Sequence, residues 1–175
     1  RPTDLTPADT SSFQVAGLAG ALRGQAGSVS EIVVPIDPDT ADIDAVLAAA
    51  GDHDAVVLGT IAADVHPGQA ALARRLVDAL PRVITVAMRT PFDLATYPEA
   101  TTHVCTYSLL EPSMTALAGA LFGSGSFPGR LPAPIPGEPP RGYGQPKAER
   151  ARGEIRAAIA EGEGCSFRDR CPRRF

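Results

Sequence analysis

At 175 residues, 44% of them hydrophobic, the chain is long enough for one ordinary domain with a sizeable core plus a tail. Charge divides it: residues 1–140 carry 7 Arg against 15 Asp and Glu, whereas residues 141–175 carry 9 Lys and Arg against 5 acids. An acidic body without a basic stripe argues against a nucleic-acid partner, and no apolar run reaches the ~18 to 20 residues of a membrane span.

The chain opens on RPTDLTPADTSS, a polar loop with no basic segment and apolar core of the kind that marks export. SSFQVAGLAGALRG, from Ser11, places Phe13, Leu18, Ala21 and Leu22 at helical spacings. SEIVVPI is a short β-branched run of the kind buried in a parallel sheet, which predicts a strand near residues 31–36. DPDTADIDAVLAAAG then reads as a helix, capped by Asp39 or Thr40 and stopped at Gly51. DAVVLGT, Asp54 to Thr60, is a second buried strand.

In HPGQAALARRLVDAL, Pro67 suits a first turn, and Ala71, Leu72, Leu76, Val77 and Leu80 share one face of an amphipathic helix. RVITVAM, Arg82 to Met88, is a third strand. A short turn of helix at PFDLATYP leads to a weaker strand, THVCTYS, Thr102 to Ser108. SMTALAGALFG closes the body as a helix with Gly123 as its stop.

Strand and helix alternating at this spacing predict a doubly wound α/β domain, a flavodoxin-like sandwich with a mostly parallel sheet. The opening loop should itself follow a strand, so the pattern reads as truncated before its first strand. That strand is commonly central in such folds, and its loss predicts a gap, a widened pairing or an exposed edge.

Ligands of open α/β sheets bind beyond the carboxyl ends of the strands, which directs attention to the loops after Thr60, Met88 and Ser108. The first carries Asp64 and His66, a pair able to touch a polar ligand or transfer a proton; the competing reading is an exposed loop that caps the next helix. The second carries Arg89 and Asp93, which either bind a ligand or form a surface or interdomain ion pair. In the third, Tyr107, Glu111 and Ser113 precede or open a helix, and the helix dipole alone favours a carboxylate at Glu111. GSGS at Gly123–Ser126 follows a helix rather than a strand and is a turn, not a phosphate cradle. No G-x-S-x-G elbow is present, and His53, His66 and His103 lack the spacing of a zinc site, so neither cofactor nor metal is expected.

The segment FGSGSFPGRLPAPIPG, Phe122 to Gly137, packs four prolines and four glycines into sixteen residues. It resembles the closing segment of the C-terminal domain of glycoside hydrolase family 3, where small residues lead into P-x-G-R-L-P and a proline-rich exit. RPTDLTPADTSS, the block from HPGQAALARRLVDAL through THVCTYS, EPSMTALAGALFG, and RGYG at Arg141–Gly144 extend the resemblance over residues 1–144, towards bacterial β-N-acetylglucosaminidase-like members.

The resemblance implies a non-catalytic domain. In that family a (β/α)8 barrel carries the aspartate nucleophile, and in the glucosaminidase-like members a barrel loop carries the acid/base pair. The implied partner is therefore a catalytic barrel of the same parent protein, which acts with retention on terminal β-linked N-acetylglucosamine or related β-glycosides. Asp64, His66, Arg89 and Asp93 would at most line a substrate entrance, and no residue here is expected to be catalytic. The rival class is a free-standing flavodoxin-like module that binds a small ligand or a protein.

Residues 145–175 form a basic tail, expected to pack little against the body. Gly153–Phe175 resembles the C-terminal extension of oligopeptide and dipeptide ABC-transporter ATPases, through GEI and GC-x-F-x-x-RCP. No nucleotide-binding motif precedes it, and Cys105, Cys165 and Cys171 are too few for the four thiolates of a typical iron–sulfur cluster.

Overall fold

The computed structural model describes residues 16–131 and residue 135. The opening RPTDLTPADTSS block, the start of the first helix, most of the proline-rich exit and the tail with Cys165 and Cys171 lie outside the described residues. The elements in order are α1 (Leu18–Arg23), α2 (Thr40–Ala50), β1 (Val56–Thr60), α3 (Pro67–Ala79), β2 (Val83–Ala87), a 3-10 helix (Pro91–Thr96), β3 (His103–Cys105) and α4 (Glu111–Leu121). The strands form a parallel sheet in the order β1-β2-β3, with Val56 opposite Val83 and Thr85 opposite His103.

Strand alternation distributes the core over two faces. Val56 and Leu58 join Ile43, Val46, Leu72, Leu76 and Val83 under α2 and α3. Val57, Ile84, Val86 and Val104 face the other way, under Leu18 of α1 and Met114 and Leu117 of α4. Helices thus cover both faces of a parallel sheet, the doubly wound arrangement. The helix ends obey local chemistry: Asp39 and Asp42 form a reciprocal capping box at the start of α2, Pro67 opens α3, and Gly123 takes a left-handed φ of 84° beyond α4.

The expected strand at residues 31–36 is not formed. Those residues run without ladder partners among the described residues, with Val33 84% and Ile32 50% exposed, while Val34 alone packs towards the α2/α3 core. An apolar β-branched run becomes a strand only when a neighbour satisfies its peptide groups. Arg23 ties this segment's start to α1, bonding the Val29 carbonyl and pairing with Glu31 at 3.1 Å.

Its end is tied to α3. The Gly68 N–H donates to Asp37 Oδ1 at 2.6 Å, and a Cβ at Gly68 would overlap the Pro38 carbonyl oxygen and approach Pro38 N within 2.8 Å. Gly68→Ala should therefore lower stability by about 2 kcal/mol, because backbone rather than a flexible side chain blocks the space. A shift in urea midpoint smaller than that of an exposed Gly17→Ala control would contradict this close approach.

Candidate functional site

The carboxyl ends of β1 and β2 are joined by a buried polar cluster built from Thr60, Asp93 and Tyr97. Each is at most 1% exposed. The Thr60 hydroxyl donates to Asp93 Oδ2 at 2.6 Å and lies 2.9 Å from the Tyr97 hydroxyl, while the Ala63 N–H donates to Asp93 Oδ1 at 3.0 Å. With Thr60 donating to the carboxyl group, Tyr97 donates to Thr60, and the chain of bonds closes without an orphan.

Burial pushes the Asp93 pKa up, against the bonds from Thr60 and Ala63; the charge of Asp64 adds to the rise and His66 opposes it. The same burial raises the Tyr97 hydroxyl. Asp93 is therefore not the surface ion-pair partner that its spacing from Arg89 suggests. It reaches across from the 3-10 helix after β2 to hold the backbone of the loop after β1.

That loop turns on Ala62, which is buried with a left-handed φ of 57°, and Tyr107 after β3 shares the same φ of 57°. Non-glycine residues rarely adopt this region, and such strain persists where surrounding bonds over-determine it. Beyond Ala62 and Ala63 the loop presents Asp64 and Val65 to solvent, and half-buried His66 caps α3 without a side-chain bond. Of the four candidate residues, Asp64 and His66 sit within electrostatic reach of Asp93, whereas Arg89 lies half-buried at the end of β2.

A second network follows from the pairing of Thr85 with His103. Thr85 Oγ1 donates to the Thr102 carbonyl at 3.2 Å and so accepts from His103 Nδ1 at 2.8 Å, which leaves His103 Nε2 to accept from the Cys105 thiol at 3.4 Å. Burial pushes the His103 pKa down to about 4, so the ring is neutral near pH 7. Its ring centroid lies 5.9 Å from that of Tyr97.

Sequence reasoning missed Thr60, Tyr97, Thr85 and the role of His103. One signal was available: a polar residue ending an apolar strand, as Thr60 does, often anchors a strand-end network. Among the described residues no three His, Cys, Asp or Glu side chains are placed to hold a metal ion.

Four of the exposed large hydrophobics belong to the strand-end loops: Val65 after β1, Phe92 after β2, and Tyr107 and Leu110 after β3. The Thr90 hydroxyl, in the same region, is buried without a hydrogen-bond partner among the described residues. This end of the sheet combines a fixed polar floor with an apolar rim.

Neither a family profile nor a curated protein matches the chain. Among solved structures, a family 3 β-N-acetylglucosaminidase from a Paenibacillus species matches over 67% of this chain, with 30% sequence identity and a TM-score of 0.63. The chain is similar to a domain segment of family 3 glycoside hydrolases. A fungal multi-domain family 3 β-N-acetylglucosaminidase with a glucosamine N-acetyltransferase region has the same fold over 69% of this chain, at 23% identity and a TM-score of 0.60. The chain spans only 23% of the length of the Paenibacillus family 3 protein and 14% of the fungal one.

Proposed function

We propose that this family 3-like domain is a non-catalytic accessory domain, which packs its strand-end loops on the catalytic (β/α)8 barrel of a retaining glycoside hydrolase. The parent activity is the hydrolysis of terminal β-linked N-acetylglucosamine or related β-glycosides. The apolar rim of Val65, Phe92, Tyr107 and Leu110 carries the reading, because exposed large hydrophobics gathered on the loops at one end of a sheet mark a docking face. The chemistry beneath the rim points the same way. Retaining hydrolysis commonly needs two carboxyl groups about 5 to 5.5 Å apart and open to the sugar, whereas Asp93 is sealed in by Thr60, Ala63 and Tyr97.

Asp64, His66 and Arg89 then border the substrate entrance and shape it without touching the reacting bond. The purified chain is expected to hydrolyse aryl β-N-acetylglucosaminides and β-glucosides no faster than buffer, and to bind a separately expressed family 3 barrel. Double replacement of Val65 and Phe92 by Lys should weaken that association by at least about tenfold, the loss expected when apolar anchors leave an interface. Robust turnover by the chain alone, abolished by Asp64→Ala or His66→Ala, would instead make this domain an enzyme in its own right.

A further inference from the structure

Tyr107 stands apart from the other exposed hydrophobics of the strand-end loops. Its backbone is left-handed, with φ 57°, although it is neither glycine nor one of the short polar residues that enter this region at little cost. Ala62 has the same φ, but it is buried and its methyl group belongs to the core. Tyr107 is 46% exposed, so full burial of the ring does not offset its strain. A glycine would adopt this conformation freely.

Neighbouring residues hold the strained backbone in place. Thr106 N–H donates to the Ala87 carbonyl at 3.0 Å, just beyond the last paired residue of β3. Thr106 Oγ1 then donates to the Ser108 carbonyl at 2.8 Å, spanning Tyr107, and Ser108 Oγ accepts from Leu110 N–H at 3.1 Å where α4 begins. The side chain of Tyr107 makes none of these bonds. A bulky residue in a rare conformation, fixed by its neighbours and turned partly to solvent, points to a use outside the domain.

The other rim residues, Val65, Phe92 and Leu110, end in hydrocarbon, whereas Tyr107 ends in a hydroxyl. Partial burial pushes the pKa of that hydroxyl up, so it is protonated near neutral pH and can donate. Tyrosine also loses little conformational freedom when its ring is fixed in an interface.

We propose that Tyr107 is the anchor of the docking face: its ring enters an apolar depression of the catalytic barrel, and its hydroxyl donates to an acceptor within that depression. This assignment rests on the docking role proposed above. The barrel is the fitting occupant, because the matched segment makes up only 23% of the Paenibacillus chain and such a domain therefore has neighbours in its own polypeptide. Val65, Phe92 and Leu110 exclude water from the contact, while the acceptor rejects apolar surfaces of similar shape.

The test compares the full chain with Tyr107→Ala, Tyr107→Gly and Tyr107→Phe. Calorimetry follows association with a separately expressed family 3 barrel, and urea titration follows stability. Loss of the ring should weaken association at least about tenfold in the Ala and Gly variants. Tyr107→Phe should lose about threefold to tenfold, the worth of one hydrogen bond. The Gly variant should have a higher urea midpoint than the Ala variant, the reverse of the usual order, because only glycine relieves the left-handed backbone. Unchanged association in the Ala variant, with a lowered urea midpoint, would make Tyr107 a residue of the fold and overturn the proposal. If the Val65→Lys, Phe92→Lys double variant weakens association while the Tyr107 variants do not, the docking face stands and the anchor is wrong. Loss of binding to an N-acetylglucosamine oligosaccharide, with barrel association intact, would make the ring a sugar platform instead. A wild-type chain that does not associate with the barrel brings down the docking role and the anchor together.

Discussion

Asp93→Ala is expected to lower the stability of the domain by about 3 kcal/mol, because it strands the buried Thr60 hydroxyl and Ala63 N–H together. That is a large share of the ~5 to 15 kcal/mol typical of a native domain, so the urea midpoint should fall steeply. Asp93→Asn keeps the shape and one acceptor for Ala63, and Thr60 can turn its proton to the Val86 carbonyl, already 3.4 Å away. Its cost should be nearer 1 kcal/mol, the ordinary worth of one exchanged hydrogen bond. Equal losses in the two variants would mean that volume, not hydrogen bonding, is what Asp93 supplies. Ionisation gives a further signature. Since burial raises this carboxyl above its ordinary value of 3.8, its contribution is complete below that value and is lost as pH rises through the raised one. Asp93→Asn should remove that fall.

His103 should impose the opposite slope. Its pKa is pushed from 6.5 down to about 4 by burial, so between those values the unfolded chain binds a proton that the folded chain refuses. Stability is therefore constant above about pH 6.5 and declines as pH falls towards 4, by about 3 kcal/mol over the full interval at 1.36 kcal/mol per pKa unit. Urea titrations at pH 7.5, 6, 5 and 4.2 measure the slope, and His103→Gln should flatten it while leaving the Asp93 component. A wild-type midpoint unchanged across this range, once the Asp93→Asn background is subtracted, would show that the ring takes up its proton without loss of the fold. The two titrations overlap in the acid range with contrary signs, so only the single variants separate them.

Much of the scaffold is legible in the sequence because its signals are local. Asp39 and Gly51 bracket α2, Pro67 opens α3, and the three apolar runs at Val56, Val83 and His103 become strands that pair in parallel, as expected. Segment 31–36 has equally strong strand chemistry and yet is no strand, because a ladder needs a neighbour, and no pattern within a segment reports whether one is present. The site divides the same way. The strand-end loops were found from topology, and with them Asp64, His66, Arg89 and Asp93. The inward turn of Asp93 was not, because an Arg and an Asp four residues apart look like a surface pair until the partners at Thr60 and Ala63, about thirty residues away, are in place. Gln69 carries no local signal of its role, because its bonds to Ile36 and Ile61 join three segments that no local window contains.

The hold of Asp93 on the Ala63 N–H separates the outline of the loop after β1 from the identity of its outward side chains. The path of the backbone is set from beneath by residues of a different loop, so the exposed side chains of Asp64 and Val65 are relieved of any duty to the fold. Sequence drift at these two positions is then nearly neutral for folding, and selection can act on them for what they meet outside. A domain organised in this way can change its neighbour or the width of an entrance through a few exposed substitutions, while Thr60, Ala63, Asp93 and Tyr97 stay fixed. Evolutionary freedom is thereby concentrated on a surface where a new contact can matter.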